Sequence, residues 1–204
     1  GKKIAVSAIK TGAEALVSYF LKQGGLSIND VELVPLGYPD MLVAYSNKAI
    51  DGAIQLEPLV TTAVENGLAV RWPAGAPSVI YGGEYQSAGL VISEQFAKDV
   101  DAVRRFMVGY VKGLRDYNDA FGKGKDKNAV IGMITKYTSD KDPALYSKMV
   151  LPYLNPDGKI HVPSMQMDLD YLKTMGYYTG NVTVLSMMDN QFVDYALQQL
   201  GPYR

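Results

Sequence analysis

The first third of the chain alternates short apolar runs with amphipathic runs, and this alternation constrains the fold more than any other feature. Apolar residues at 4–6, 31–35 and 50–55 predict three strands. Between them, residues 13–23 carry apolar side chains at helical spacing, and Pro39 in a first turn predicts a second helix. Strands joined by crossover helices run parallel. The sequence therefore predicts an α/β fold with helices packed on a mostly parallel sheet.

The remainder of the chain has fewer strand signals and more helical ones. Pro58 predicts a third helix, residues 68–72 a fourth strand ended by Pro73, and residues 89–92 a return strand. Further helices are predicted at residues 93–98, 101–121, 128–137, 143–151, 165–175 and 189–200. We therefore expect a complete α/β ligand-binding lobe at 1–80, a hinge and return strand at 81–92, and a helical part at 93–204.

Charge and cysteine content exclude several classes of function. The 20 basic side chains nearly balance the 21 acidic ones, so no nucleic-acid partner is expected. The chain contains no cysteine, which excludes disulfides, thiolate zinc sites and cysteine nucleophiles. No apolar run approaches the roughly 20 residues that span a bilayer. A globular protein with a sizeable core is the expected outcome.

The motifs of common catalytic and cofactor sites are missing from the sequence. His161 is the single histidine, and no Gly-x-Ser-x-Gly nucleophile motif, phosphate loop or dinucleotide-binding glycine motif accompanies it. The pairs Asp168/Asp170 and Asp140/Asp142 alternate as calcium ligands do, but neither continues into the required glycine and distal glutamate. We predict that these carboxylates are solvated or cap helices, and that the chain has no catalytic residues, metal or cofactor.

The turn after the first strand is a candidate ligand site. Lys10, Thr11, Gly12 and Ala13 lie where a strand ends and a helix begins, so backbone N–H groups, a hydroxyl and an ammonium could meet an anion there. Open α/β sheets bind ligands at the carboxyl ends of their strands. The alternative is that Thr11 only caps the helix, Gly12 relieves a tight turn and Lys10 is solvated.

Polar side chains after the next strands extend this candidate site. Tyr38 and Asp40 follow the second strand, and Glu57 follows the third and precedes the helix opened by Pro58. Tyr81, with Tyr85, lies at the predicted hinge and could add an aromatic wall. The alternatives are that Glu57 interacts with the N-terminus of its own helix and that the tyrosines are packing residues.

Several sequence segments, taken in order, resemble the nitrate/sulfonate/taurine-type substrate-binding proteins of ABC importers. Proteins that bind thiamine-pyrimidine precursors share the fold of this family. No segment is diagnostic by itself, but their order and spacing span essentially the whole chain. The segments lie at residues 1–6, 25–34, 39–44, 50–53, 57–58, 87–96 and 196–201.

This resemblance implies a type II periplasmic-binding-protein-like clamshell of two lobes. The chain would supply one complete α/β lobe and the helix-rich remainder of the other, whose N-terminal half-lobe would precede Gly1. The helical region would then be covered by a second copy of the chain or by a retained N-terminal fragment, or it would be rearranged.

The resemblance also implies a function without catalysis. A small organic ligand, anionic or zwitterionic, would enter between the lobes, the hinge would close, and the closed form would dock on a membrane permease. Residues 10–13 would form the helix-end cradle, Tyr38 and Asp40 the second loop, and Glu57 the polar anchor. The protein would be periplasmic or extracellular, or lipid-anchored through an upstream segment.

Two other functions share this fold. A ligand-sensing domain of a regulator or kinase would bind a ligand without a permease. A thiamine-pyrimidine-synthase-like enzyme would use a histidine together with a cysteine-rich iron motif, and the absence of cysteine and the position of His161 argue against it.

Overall fold

A computed structural model describes residues 1–72, 76–139 and 141–204. Contacts divide the chain into two compact units. Unit 1 comprises Gly1–Ser87, Ser147–Leu151 and Pro163–Asn181, and unit 2 comprises Ala88–Tyr146, Pro152–Val162 and Val182–Arg204. The strands and α-helices, in chain order, are β1 (Lys2–Val6), α1 (Gly12–Gln23), β2 (Val31–Pro35), α2 (Tyr38–Ser46), β3 (Gly52–Ala53), α3 (Leu59–Glu65), α4 (Pro77–Ile80), α5 (Glu94–Ala97), α6 (Val100–Gly122), α7 (Lys127–Tyr137), α8 (Val162–Thr174) and α9 (Gln191–Leu200).

Unit 1 is built on a parallel sheet with the order β2-β1-β3. The central strand, β1, pairs Ile4 with Leu33 on one side and with Gly52 on the other. Its last two residues, Ala5 and Val6, are fully buried. A strand that is covered on both faces reads as a continuous apolar run, which is what residues 4–6 show.

The core of unit 1 lies between this sheet and its helices. Ala5 of β1 packs with Met41 of α2 and Ile50, which precedes β3. On α1, four consecutive residues, Glu14–Val17, are buried, and Gly24 caps the end of the helix. The sequence order of strand and helix thus positions three loops at one edge of the sheet.

Unit 2 is helical, with α6 packed along α9. Val111 of α6 meets Val193 and Ala196 of α9 in a buried cluster. The Arg115 guanidinium donates to the carbonyl of Gly201 at 2.8 Å and to the carboxylate of Asp157 at 2.9 Å. This side chain therefore connects α6, the loop around residue 157 and the carboxyl end of α9.

Most predicted elements are confirmed. The strands at the chain start and at 31–35, and the helices predicted near 13–23, 39–45, 58–66, 93–98, 101–121, 128–137, 165–175 and 189–200, are all present within a few residues. Residues 143–151 were predicted as a helix, but only a 3-10 helix at Pro143–Ser147 forms there.

Three strand predictions were wrong or too long. The third strand is reduced to Gly52–Ala53, and neither residues 68–72 nor residues 89–92 form a strand. Val70 is 90% exposed and Val91 is 93% exposed, so each segment has an apolar side chain that no neighbour covers. Apolar content alone does not make a strand, because the backbone needs a pairing partner.

Pro73 and Asp140 fall outside the described residues, so the predicted strand end and the Asp140/Asp142 pair are not described. The predicted domain boundaries at residues 80 and 92 stay predictions. In the described parts of the chain, none of the helices combines the length and apolar character that crossing a membrane requires.

Candidate functional site

The loops that follow the three strands all lie at one edge of the unit 1 sheet, because the strands are parallel. Backbone bonds hold two of these loops to β1 beyond the ladder itself. The N–H of Leu36 donates to the carbonyl of Val6 at 2.9 Å, and that of Ile54 to the carbonyl of Ala5 at 3.0 Å. The loop starts are therefore fixed by the sheet.

The first loop brings Lys10 and Thr11 to the start of α1. Thr11 is the residue that precedes the helix, and its hydroxyl donates to the carbonyl of Ala8 at 2.8 Å. Lys10 has a left-handed backbone with φ of 59°, and its N–H donates to Oε2 of Glu14 at 2.7 Å. The Lys10 ammonium lies 5.2 Å from the ring centroid of Tyr177.

Gly12, the first residue of α1, is in close contact with two polar side chains. A Cβ atom at this position would lie 2.9 Å from Oδ2 of Asp168 and 3.2 Å from the Tyr85 hydroxyl. The absence of a side chain therefore lets α8 and residue 85 approach the first turn of α1. Ala13, the next helical residue, is partly buried.

Asp168 is the acceptor at the centre of this group. The Tyr81 hydroxyl donates to its Oδ1. Burial raises the pKa of the Asp168 carboxyl, and the bond from Tyr81 opposes this only in part. The sequence predicts that Asp168 and Asp170 are solvated or cap helices; Asp170 is exposed, whereas Asp168 is partly buried because α8 packs within unit 1, and it lies at the start of α1.

Three tyrosines surround the Asp168 carboxylate. Tyr81, predicted at the hinge, is only 8% exposed, and its ring centroid is 4.4 Å from that of Tyr85 with the planes tilted by 34°. Tyr19 meets Tyr81 edge to face at 5.6 Å. Burial and the charge of Asp168 raise the pKa values of Tyr19 and Tyr85 to about 12. These hydroxyls therefore stay protonated and act as donors at neutral pH.

Glu14 is a second buried carboxylate beside this group, and the sequence analysis missed it. Its side chain is 2% exposed and accepts the Tyr171 hydroxyl at 2.8 Å and the Tyr177 hydroxyl at 3.0 Å, besides the Lys10 N–H. An acidic residue in a first helical turn is a known stabilising pattern. That signal was visible, but its burial depends on α8 and residue 177, which are remote in sequence.

The second loop contributes Tyr38 and Asp40. Tyr38 begins α2, and its carbonyl accepts the Gln55 side-chain amide at 2.8 Å, which links the loops after β2 and β3. The Tyr38 side chain packs against the buried cluster of Ala5, Met41 and Ile50. Asp40 is exposed in the first turn of α2.

Glu57 lies in a separate polar cluster of unit 1. Its Oε1 is 2.6 Å from the Arg71 guanidinium and accepts the N–H of Val150 at 3.2 Å. Its Oε2 accepts the N–H of Thr61 in α3 at 3.0 Å. The interaction with its own helix, left open by the sequence, is thus present, and a role toward a ligand stays a prediction.

The assembled groups suit recognition by hydrogen bonding. Across residues 1–72, 76–139 and 141–204, no three His, Cys, Asp or Glu side chains come together as a metal site would require. His161 immediately precedes α8 and is partly buried. Around Gly12 the structure offers the Asp168 carboxylate, tyrosine hydroxyls and tyrosine rings, which can bind a small molecule without reacting with it.

A family model described as NMT1/THI5 like matches residues 1–119 of this 204-residue chain. The chain belongs to the NMT1/THI5-like family. This assignment confirms the resemblance stated from the sequence. The family includes ABC substrate-binding proteins, which supports a solute-binding role, and it also includes a synthase-like member.

The NMT1/THI5-like chain is also similar in fold to a solved structure of a protein from Bordetella bronchiseptica RB50. The TM-score is 0.62 at 20% sequence identity, and the match covers 99% of this chain and 65% of that one. The chain therefore spans less than two thirds of that structure's length. The predicted mixed α/β, periplasmic-binding-protein-like fold is confirmed. A comparison with curated proteins finds no match.

Proposed function

We propose that this chain is the solute-binding component of an ABC importer and captures a small organic ligand, anionic or zwitterionic, at the carboxyl edge of the unit 1 sheet. The family supports this, since it includes ABC substrate-binding proteins. The ligand would then be delivered to a membrane permease, and the protein would act in the periplasm or outside the cell.

The observation that carries the proposal is the close approach at Gly12. The first turn of α1, the Asp168 carboxylate and the Tyr85 hydroxyl meet within 3.2 Å of one backbone position. Side chains remote in sequence thus converge on a strand end, the place where open α/β sheets bind ligands. Lys10, Thr11, Ala13, Tyr38 and Asp40 lie in the loops around this position and are proposed as further ligand contacts, as is Glu57.

A native mass spectrum followed by a denaturing spectrum of the same purified chain tests this proposal. We expect a small-mass adduct that is lost on denaturation. Gly12→Leu should abolish the adduct, because a side chain there would collide with the Asp168 carboxylate and displace it from the start of α1. Gly113→Leu is the matched control, since a side chain at that exposed helical position meets nothing within 4 Å.

Two results would count against the proposal. If Gly12→Leu retains the adduct as the wild type does, the turn at the start of α1 is not part of the site. If the wild type carries no adduct and a small-molecule library produces no binding signal, the solute-binding role itself fails.

A further inference from the structure

We propose that Asp168 receives a cationic nitrogen of the ligand, so that the solute carries a protonated amine or amidine and is not a simple anion. This inference rests on the proposed function, because it specifies the chemistry of the same site. It distinguishes between the anionic and zwitterionic ligands that the sequence left open.

The place where an anion would sit at the start of α1 is already taken by a carboxylate. A helix N-terminus carries a partial positive charge and attracts anions. Here Oδ2 of Asp168 comes within 2.9 Å of the Cβ position of Gly12, the first helical residue. A second anion at this position would be repelled by Asp168 and would have to displace it.

The Lys10 ammonium, which the sequence offers as a partner for an anionic ligand, makes other contacts in the structure. The Lys10 ammonium lies over the ring of Tyr177, 5.2 Å from its centroid, and the Lys10 N–H is bonded to Glu14. Glu14 also receives the hydroxyls of Tyr171 and Tyr177. These contacts hold Lys10 on the side of α1 that faces residues 171 and 177, and the charge nearest Gly12 is negative.

Asp168 itself is in a position to gain from an opposite charge. The carboxyl is partly buried, and burial raises its pKa, so the charged form lacks sufficient compensation. Its described hydrogen-bond donor is the Tyr81 hydroxyl, which is neutral. A protonated nitrogen would add both a donor and an opposite charge, and charge-assisted hydrogen bonds are the stronger kind.

The neighbouring rings fit the same ligand chemistry. The Tyr81 and Tyr85 rings pack on each other with their centroids 4.4 Å apart, and the Tyr85 hydroxyl is next to Gly12. Aromatic faces attract cations and also stack on planar groups. A carboxylate beside paired tyrosines therefore favours a cationic nitrogen attached to an apolar or aromatic body.

Three monosubstituted benzenes of similar size and different charge test the inference on the full chain. Benzylamine is a cation, benzyl alcohol is neutral and benzoate is an anion at neutral pH, and each is titrated by isothermal calorimetry or by NMR. We expect benzylamine to bind at least about tenfold more tightly than benzyl alcohol, and benzoate to bind most weakly, because a charge-assisted hydrogen bond favours the cation.

Asp168→Asn is the decisive variant, since the amide keeps the size and can still accept from Tyr81. It should weaken benzylamine binding by about tenfold or more, so that the preference for benzylamine over benzyl alcohol is lost. Asp170→Asn is the matched control on α8, because Asp170 is exposed. It should leave the affinities for all three probes as in the wild type.

The outcomes separate this inference from the function on which it rests. Preferential binding of benzoate, equal benzylamine affinity in wild type and Asp168→Asn, or no benzylamine binding would each overturn the cationic assignment. An adduct sensitive to Gly12→Leu in the mass spectrum would still support solute binding in those cases. If the wild type carries no adduct, or Gly12→Leu retains it, the proposed function fails as well.

Discussion

Replacing the buried Glu14 with glutamine tests how the candidate site is held in place. The carboxylate accepts three donors: the Lys10 N–H, the Tyr171 hydroxyl and the Tyr177 hydroxyl. In Glu14→Gln the amide oxygen can still serve both tyrosines, which share Oε1. The amide nitrogen would then face the Lys10 N–H, so one donor would meet another.

The expected cost follows from these contacts. A hydrogen bond to a charged group contributes about 1.5–3 kcal/mol, and an acidic residue near a helix N-terminus contributes about 0.3–1 kcal/mol. Glu14→Gln should therefore lower the free energy of unfolding of unit 1 by about 2–4 kcal/mol. Glu14→Ala should lower it further, because the Tyr171 hydroxyl would be left buried without its acceptor.

Urea unfolding followed by tryptophan fluorescence measures this change. Trp72, the single tryptophan, lies in unit 1, and its ring centroid is 5.5 Å from that of Phe20 on α1. At a slope of about 2 kcal/mol/M, the expected loss shifts the midpoint by about 1–2 M. The signal therefore reports on α1, the helix whose first turn contains Glu14.

Asp40→Asn is the control for an acidic residue in a first helical turn of unit 1, since Asp40 is exposed at the start of α2. It should change the free energy of unfolding by less than about 1 kcal/mol, because only the helix-terminus interaction is lost. Equal shifts for the Glu14 and Asp40 variants would refute the reasoning, since the buried bonds would then contribute nothing.

Two further variants probe other parts of the chain. Arg115→Lys should lower the urea midpoint measured by circular dichroism, because an ammonium cannot reproduce the guanidinium bonds to Asp157 and Gly201. The control Arg105→Lys changes an exposed arginine and should lower the midpoint less. Equal shifts for the two variants would contradict this. In the folded state the pKa of the Asp168 carboxyl lies above its ordinary value of 3.8, so the folded chain binds the carboxyl proton more tightly than the unfolded chain does. The free energy of unfolding therefore falls as pH rises from 3.8 through the folded pKa. Asp168→Asn should remove this part of the pH dependence and raise the melting temperature at pH 7, and a lower melting temperature with an unchanged pH profile would count against it.

Local sequence signals predicted the elements that depend on local interactions. The helix at residues 101–121 followed from a long apolar stripe, and the start of α2 followed from Pro39. The segments 68–72 and 89–92 failed because strand formation requires a partner elsewhere in the chain. Periodicity describes which side chains are apolar, but it does not show what covers them.

The candidate site was predicted in part for the same reason. Gly12 could be chosen from its place after a strand, and Tyr81 from the paired glycines that follow it. Asp168 could not, because its importance arises when α8 packs within unit 1. Its alternation with Asp170 suggested a solvated face, and only the tertiary contacts separate the two carboxylates.

The discontinuous path of the chain through unit 1 has a consequence for its synthesis. The Tyr81 and Asp168 partners are 87 residues apart, and Glu14 and Tyr171 are 157 apart. Contacts this distant close large loops and form late in folding. A nascent chain that has emerged only through Ser87 already contains the whole sheet, yet lacks the carboxylate against which α1 rests. The sheet edge that carries the candidate site is therefore completed only after Pro163–Asn181 has left the ribosome.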